Sequence, residues 1–511
     1  MLAKVDSCTI VGIEGIPLEI EVDITDGLPA FDIIGLPDAS VREAKERVRA
    51  AIRNSGFDFP YKRVTVNLAP ADLKKEGSSF DLAIAVGFLA ATGQIPRTEN
   101  LETGVFIGEL SLDGNLRGIN GTLAIALSMA GLASHCDKAL YLPEANGPEA
   151  ALANNIKIFG LTTLAQLVRH LRGEENLLPA RPLFRDSDKN TNSELDFKEV
   201  KGQETAKRAL EIAAAGAHNL LFYGPPGSGK TMLARRIPSI LPAPTSDEVL
   251  QITRIHSVAG QLNPTRPLKN GRPFRSPHHS ASMAGVIGGG KAPRPGEVTL
   301  AHLGVLFFDE MPEYSREILE ALRQPLEDRE VTVTRLTATV TYPADFMFIG
   351  SMNPCPCGNY GDPRLECRCS PNQILRYRSK LSGPLMDRLD LHVEVPAIKY
   401  EQLEDKEEGE ASAKIRSRVE AARSRQRVRY KDLAATTNAQ LRSKYFKQYC
   451  PLSAAARSLL HQAFQSLGLS MRAHDRIIRV ARTIADLNSS EVIDAPHIAE
   501  AIQCRSLDRQ H

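Results

Sequence analysis

The sequence predicts a multidomain α/β protein, with an N-terminal α+β domain, a P-loop α/β core and a C-terminal helical segment. Three observations carry this. The chain has 511 residues, too many for one hydrophobic core, so two to four domains are expected. The stretch YGPPGSGKT at 223–231 lies between a strand-like and a helix-like segment, which is the setting of a phosphate-binding loop. From about residue 400 the pattern is helical to the end. The changes of pattern set the domains at 1–172, 198–399 and 400–511, with a linker over 173–197 and a cysteine-rich insert at 354–370.

In chain order, IPLEIEVDI and KRVTVNLAP are rich in β-branched residues and predict strands. SVREAKERVRAAIRNSG predicts an amphipathic helix closed by Gly56, and FDLAIAVGFLAATG and NGTLAIALSMAG predict buried helices of small residues. RGEENLLPARPLFRDSDKNTNSELDF is polar, carries proline and has no period, so it predicts the linker. KGQETAKRALEIAAAGA then predicts a helix, NLLFYG, VLFFDE and FMFIGSMN buried strands, and VTVTRLTATVTY a hairpin.

Hydrophobic residues make up 42% and charged residues 24%, as in soluble globular proteins. A net charge of +2 excludes a global attraction to nucleic acid, so any polyanion must meet a local patch. No apolar run approaches the length of a membrane span. MLAKVDSCTIVGIEG lacks the order of a signal peptide, so a cytoplasmic protein with no membrane partner is expected. Its cysteines are then reduced thiols or metal ligands.

The nucleotide site is read from three strand ends. In YGPPGSGKT, Gly224, Gly227 and Gly229 let the backbone curl so that its N–H groups face phosphate oxygens, with Pro225, Pro226 and Ser228 completing the loop. Lys230 is expected to reach the β/γ-phosphates of ATP, and Thr231 to ligate Mg²⁺. VLFFDE delivers Asp309 to the same Mg²⁺ and Glu310 to the attacking water. Asn353, ending FIGSMN, is placed to orient that water or sense the γ-phosphate.

NLLFYGPPGSGKTMLARR, FRSPHHSASMAGVIGGG, FFDEMPEYSREILEALRQPLEDREVTVTR and LSGPLMDRLDLHVEVP together resemble the magnesium-chelatase-like AAA+ ATPases, and more closely the ComM/YifB competence group. The resemblance spans nearly the whole chain. It implies an AAA+ core with a C-terminal helical lid. Arg388, in GPLMDRLD, matches the arginine finger that enters a neighbour's ATP site, and Arg472 the sensor-2 arginine of the lid. A finger in trans requires a ring, and the family forms hexamers. Residues 1–170 are similar to the S5-like proteolytic domain of Lon, with Ser79 of KKEGSSFDLAIA at the nucleophile's position. The lysine base is missing, because no lysine lies between Lys75 and Lys138 and Arg117 stays protonated. A scaffold or binding module is expected rather than a protease.

Cys355, Cys357, Cys367 and Cys369 form two C-x-C pairs, with Gly358, Gly361 and Pro363 allowing tight turns between them. Four thiolates at this spacing can surround a structural Zn²⁺. Reduced structural cysteines, a redox switch or an iron–sulfur cluster are the alternatives. His278 and His279 lack a cysteine or acidic partner in their motif and are read as loop or DNA-facing residues.

Three basic regions are candidates for phosphate contacts: Arg335 near the hairpin tip, Lys291 and Arg294 in GGGKAPRPGE, and Arg416, Arg418, Arg423, Arg425, Arg427, Arg429 and Lys431 on one helix. A solvated helix face is the alternative for the last. The family resemblance implies an ATP-driven hexameric DNA helicase that promotes branch migration during recombination of transforming DNA, acting on single-stranded and branched DNA beside recombination proteins. The alternative is a magnesium-chelatase-type or chaperone motor that remodels a protein partner.

Overall fold

The computed structural model describes residues 1–132, 138–182, 195–263, 267–290, 293–334, 339–362, 365–397 and 409–509. The N-terminal domain is built on a seven-stranded mixed sheet. Its spatial order is Ala30–Ile34, Arg63–Ala69, Glu14–Thr25, Leu2–Val11, Gly104–Phe106, Ala139–Pro143 and Lys157–Leu161. The helix Ala39–Asn54 starts on Asp38, whose carboxylate accepts from the Val41 amide, and it ends before Gly56 at φ +84°. The helix Asp81–Ala91 is buried almost all round. It approaches the sheet closely at Gly87, where a Cβ would lie 2.7 Å from Val22 Cγ2.

The second domain carries a five-stranded sheet in the order Phe274–Arg275, Val305–Phe308, Met347–Met352, Leu220–Tyr223, Leu391–Glu394. All four pairings are parallel. Its central strands are buried at every position, as uninterrupted apolar runs demand when both sheet faces are covered. In such sheets ligands bind at the carboxyl ends of the strands, and residues 224, 309 and 353 all lie there. The hairpin pairs Glu330–Thr334 with Thr339–Pro343. Its expected tip residue, Arg335, lies outside the described residues, as does Lys291.

The C-terminal helices Ser412–Arg429, Ala454–Leu467, Met471–Leu487 and Ala495–Gln503 share one continuous apolar core with the P-loop sheet. Met471–Leu487 is capped by the Ser470 hydroxyl, which accepts from the Ala473 amide, and buries Ile477, Ile478, Ala481, Ile484 and Ala485. The helical expectation beyond residue 400 is too broad. Between Tyr430 and Ser453 the chain makes short turns and one four-residue helix, Phe446–Tyr449. There the Tyr430 hydroxyl donates to Asn438 Oδ1 at 2.7 Å, and Asn438 Nδ2 donates to Thr483 Oγ1 at 2.9 Å, so side chains satisfy what a helix would have satisfied by itself.

Residues 183–194, the middle of the expected linker, lie outside the described residues. Its flanks pack: the Ala180 amide donates to the Ile158 carbonyl at 2.8 Å, and Phe197 is fully buried in the P-loop domain. The first two domains also touch. Arg254 pairs with Glu14, the Ser257 hydroxyl donates to Glu149, and the Gly121 amide donates to the Ser257 carbonyl at 3.1 Å. Among the described residues no helix is long and apolar enough to cross a membrane.

Candidate nucleotide site and cysteine centre

The loop after Leu220–Tyr223 turns on glycines because nothing else fits. A Cβ on Gly224 would sit 2.1 Å from the Val395 carbonyl oxygen, and Gly227 and Gly229 have φ of +74° and +92°. The helix Lys230–Arg236 starts at the loop's end. Lys230 is buried, and its ammonium donates to the Gly224 and Pro225 carbonyls at 2.7 and 2.8 Å and to Asn353 Oδ1 at 3.2 Å. Burial pushes it down to about 8, against the opposing pull of Asp309 and Glu310. Ser228 Oγ is buried with no hydrogen-bond partner among the described residues. An orphaned hydroxyl, a caged ammonium and a concave backbone fit a polyphosphate.

The Thr231 hydroxyl donates to Asp309 Oδ2 at 2.8 Å, so the two expected Mg²⁺ ligands already converge. Ser351, missed by sequence reasoning, organises this pair. It is fully buried, its hydroxyl donates to Asp309 Oδ1 at 2.5 Å, and it accepts from the Glu310 amide at 3.0 Å. Glu310 takes a left-handed backbone, φ +49°, and is exposed just beyond the strand's carboxyl end. A serine inside an apolar strand was the available signal. Gln203 is the second residue missed: its amide donates to the Pro396 and Ser228 carbonyls at 2.7 and 3.3 Å and ties the loop to the fifth strand.

Arg388 and Arg472 do not join this pocket in the same chain. The Asp390 amide donates to the Asn219 carbonyl at 2.8 Å, which puts Arg388 at the start of the P-loop strand while Lys230 follows its end. Four strand residues separate the two ends by about 13 Å. Arg388 is 14% exposed and meets Glu327 at 2.7 Å and the Pro384 carbonyl at 2.7 Å. Arg472 is 65% exposed and meets Asp387 at 3.1 Å. The two arginines therefore flank one turn on the far side of the sheet.

The four insert cysteines converge. Their sulfurs all lie within 4.8 Å of one another, with Cys355–Cys357, Cys355–Cys367 and Cys357–Cys367 at 3.3, 3.7 and 3.6 Å. These spacings are too long for a disulfide.

Ser79 lines a cleft of about 460 Å³ between the first two domains, together with Ser78, Glu109, Asn120, Arg294 and Val340. Among the described residues, the lysines near Ser79 are all engaged. Lys75 is buried and donates to the Pro70 carbonyl, Lys138 pairs with Asp6, and Lys74 is engaged by Glu76 at 2.5 Å. Arg294 is exposed, and so are His278 and His279. The basic helix behaves otherwise. Arg416, Arg423 and Arg425 donate to the Ser239, Ala214 and Asp486 carbonyls, while Arg418 and Arg429 pair with Glu211 and Asp486. Arg416, Arg418 and Arg423 fasten the lid to the core, Arg425 and Arg429 tie this helix to Met471–Leu487 within the lid, and these five do not form a free phosphate-binding face.

The family model described as magnesium chelatase, subunit ChlI, matches residues 196–403. The models for subunit ChlI of Mg-chelatase and for its C-terminal region match 20–146 and 409–505. Competence protein ComM of Haemophilus influenzae is 44% identical over 99% of this chain and 98% of its own. The uncharacterized protein YifB of Salmonella typhimurium is 43% identical over the same shares. Lon protease 2 of Bacillus subtilis is 30% identical over 34% of this chain and 35% of its own.

Proposed function

The chain belongs to the ComM/YifB group of magnesium-chelatase-like AAA+ proteins, and from that membership we propose that it is an ATPase, assembled as a homo-hexamer, that drives DNA branch migration. One observation carries the reading: each chain holds Lys230, Thr231, Asp309, Glu310 and Asn353 at one end of its sheet and Arg388 and Arg472 at the other. A ring of such chains sets one protomer's arginines against the next protomer's P-loop.

Within that site, Lys230 and the loop amides would hold the β- and γ-phosphates of ATP, and Thr231 and Asp309 would hold Mg²⁺, which would supply charge neutralisation at the phosphates. Glu310, steadied through its amide by Ser351, accepts the proton of the attacking water. Asn353 orients that water. Arg388 of the adjoining protomer donates to the transferring phosphoryl oxygens, for which a guanidinium's fixed fork is suited. A Zn²⁺ in the four-cysteine centre would be structural, held by Cys355, Cys357, Cys367 and Cys369.

DNA as cargo is supported by the near full-length similarity to a competence protein and by the exposed Arg294 beside the hairpin. A protein-remodelling motor is favoured by one feature, the cleft between the hairpin and the Lon-like domain. ATP turnover measured with three- and four-stranded DNA junctions, alongside native mass, separates the two. Junction-stimulated turnover in a hexamer is expected. Turnover that ignores DNA and rises only with a protein partner overturns the helicase reading.

A further inference from the structure

We propose that the four-cysteine centre binds a Zn²⁺ whose occupancy sets the nucleotide affinity of the P-loop, through contact between Gly358 and Pro226. This rests on the metal reading above and goes beyond it, because it joins two sites that sequence keeps more than a hundred residues apart.

The metal geometry comes first. A tetrahedral zinc with Zn–S bonds of about 2.3 Å has sulfurs about 3.8 Å apart. The observed 3.3, 3.7 and 3.6 Å separations lie near that edge length. The Tyr360 amide donates to Cys355 Sγ at 3.4 Å, a contact of the kind that steadies a coordinating thiolate. No helix or strand occurs among the described residues of 354–370. Coordination is what this segment has available to hold its shape.

The contacts with the nucleotide site follow. Gly358 closes the first knuckle in a left-handed conformation, φ +83°, and its amide donates to the Cys355 carbonyl at 3.0 Å. A Cβ there would fall 2.5 Å from Pro226 Cδ and 3.0 Å from Cγ, so the knuckle rests against the P-loop with no room to spare. Pro226 directly precedes Gly227, whose φ of +74° sets the curl of the phosphate cradle. The other side of the knuckle is tied to the same site: Asn353, two residues before Cys355, accepts from the Lys230 ammonium at 3.2 Å. Arg378 fastens the insert from behind, donating to the Pro354 carbonyl at 3.3 Å with its guanidinium 5.3 Å from the Tyr360 ring. Metal closing the knuckles therefore holds Pro226 and Asn353 in the arrangement that meets phosphate. Coupling of this sort is reciprocal, so nucleotide must tighten zinc by the factor with which zinc tightens nucleotide.

The test uses the full chain, Zn²⁺ alone as the metal probe and a non-hydrolysed ATP analogue, and it needs no DNA. Zinc content is measured first, then zinc affinity by competition with a zinc-selective chelator, with and without the analogue. One zinc per chain is expected, bound about tenfold more tightly when the analogue is present, and the analogue is expected to bind zinc-stripped protein about tenfold more weakly. Pro226→Ala withdraws the ring from Gly358 and leaves the thiolates untouched. It should keep its zinc while losing the dependence of each affinity on the other ligand. Zinc competition on folded, loaded protein keeps the test valid if stripped protein or Cys367→Ser/Cys369→Ser fails to fold. Absence of stoichiometric zinc overturns the metal reading and this proposal with it. Stoichiometric zinc with an affinity indifferent to the analogue overturns the coupling alone.

Discussion

Thr231, in the helix Lys230–Arg236, and Asp309, just past the strand Val305–Phe308, stand 2.8 Å apart, hydroxyl to carboxylate, and Ser351 holds the second oxygen of that carboxylate at 2.5 Å. The pair is organised before any cation arrives. Ser351→Ala is expected to lower ATP turnover ten- to about a hundredfold and to raise the Mg²⁺ concentration needed, because it frees both Asp309 and the Glu310 amide. Asp309→Asn should lower turnover further while leaving a measurable residual rate. The double variant should lose no more than Asp309→Asn alone. Additive losses in steady-state assays across a Mg²⁺ titration would separate Ser351 from this pair.

Lys230 gives a pH signature. Burial pushes it down to about 8, so the nucleotide-free protein loses this charge as pH rises through that value, whereas a bound polyphosphate favours the ammonium. Nucleotide binding should therefore take up close to one proton at pH 9 and almost none at pH 7. Affinity should fall about tenfold per pH unit above 8. Calorimetry in buffers of different ionisation enthalpy reads the uptake, and Lys230→Arg, which stays charged, should remove it. For stability the sign is the reverse: the folded state favours the neutral amine, so this contribution is present above the ordinary lysine range and is lost as pH falls through about 8.

Asp390 joins the lid to the core. It is 2% exposed and accepts from Arg476 and from the Asn219 amide at 3.1 Å, while His218 lies between Asp390 at 3.3 Å and Thr483 at 2.7 Å. Burial alone would raise its pKa, but Arg476, His218 and Arg479 hold it well below the usual carboxylate range. Asp390→Asn leaves Arg476 facing a neutral amide, and a loss of about 3 kcal/mol is expected. The midpoint of urea unfolding of the P-loop domain measures it. A shift equivalent to less than about 0.5 kcal/mol would mean that this network does not hold the lid.

The Lon-like domain should be inert toward peptide bonds. Labelled casein is expected to stay intact with or without ATP, and Ser79→Ala should leave ATP turnover unchanged. Casein cleavage that disappears in Ser79→Ala would show that a base reaches this cleft despite the placement of Lys74, Lys75 and Lys138.

The parts of the site legible in the sequence are those whose chemistry is local. A phosphate cradle needs its glycines within one turn, and an apolar strand ending in Asp309–Glu310 declares its own edge. Ser351 left a signal, a serine in an apolar strand, but its role was not legible, because that role comes only from what faces it across the sheet. The lid's basic helix misled for a related reason: charge spacing along a helix does not reveal that Arg416, Arg423 and Arg425 find buried carbonyls. The fold was legible where hydrophobic periods were long. It was not legible between Tyr430 and Ser453, where side-chain hydrogen bonds replace helical ones. The approach of Gly358 to Pro226 had no signal at all in linear spacing.

In the proposed ring each ATP is cleaved between two protomers. Mixing two inactive variants tests it most directly. Lys230→Ala keeps Arg388 and Arg472 but cannot hold nucleotide, and Arg388→Ala keeps its P-loop but lacks the finger. Co-assembled in equal amounts, they should form intact shared sites at about a quarter of the interfaces, and ATP turnover should return to a comparable fraction of the unaltered protein's. Turnover that stays at the level of the separate variants, in assemblies whose native mass proves mixing, would contradict the claim.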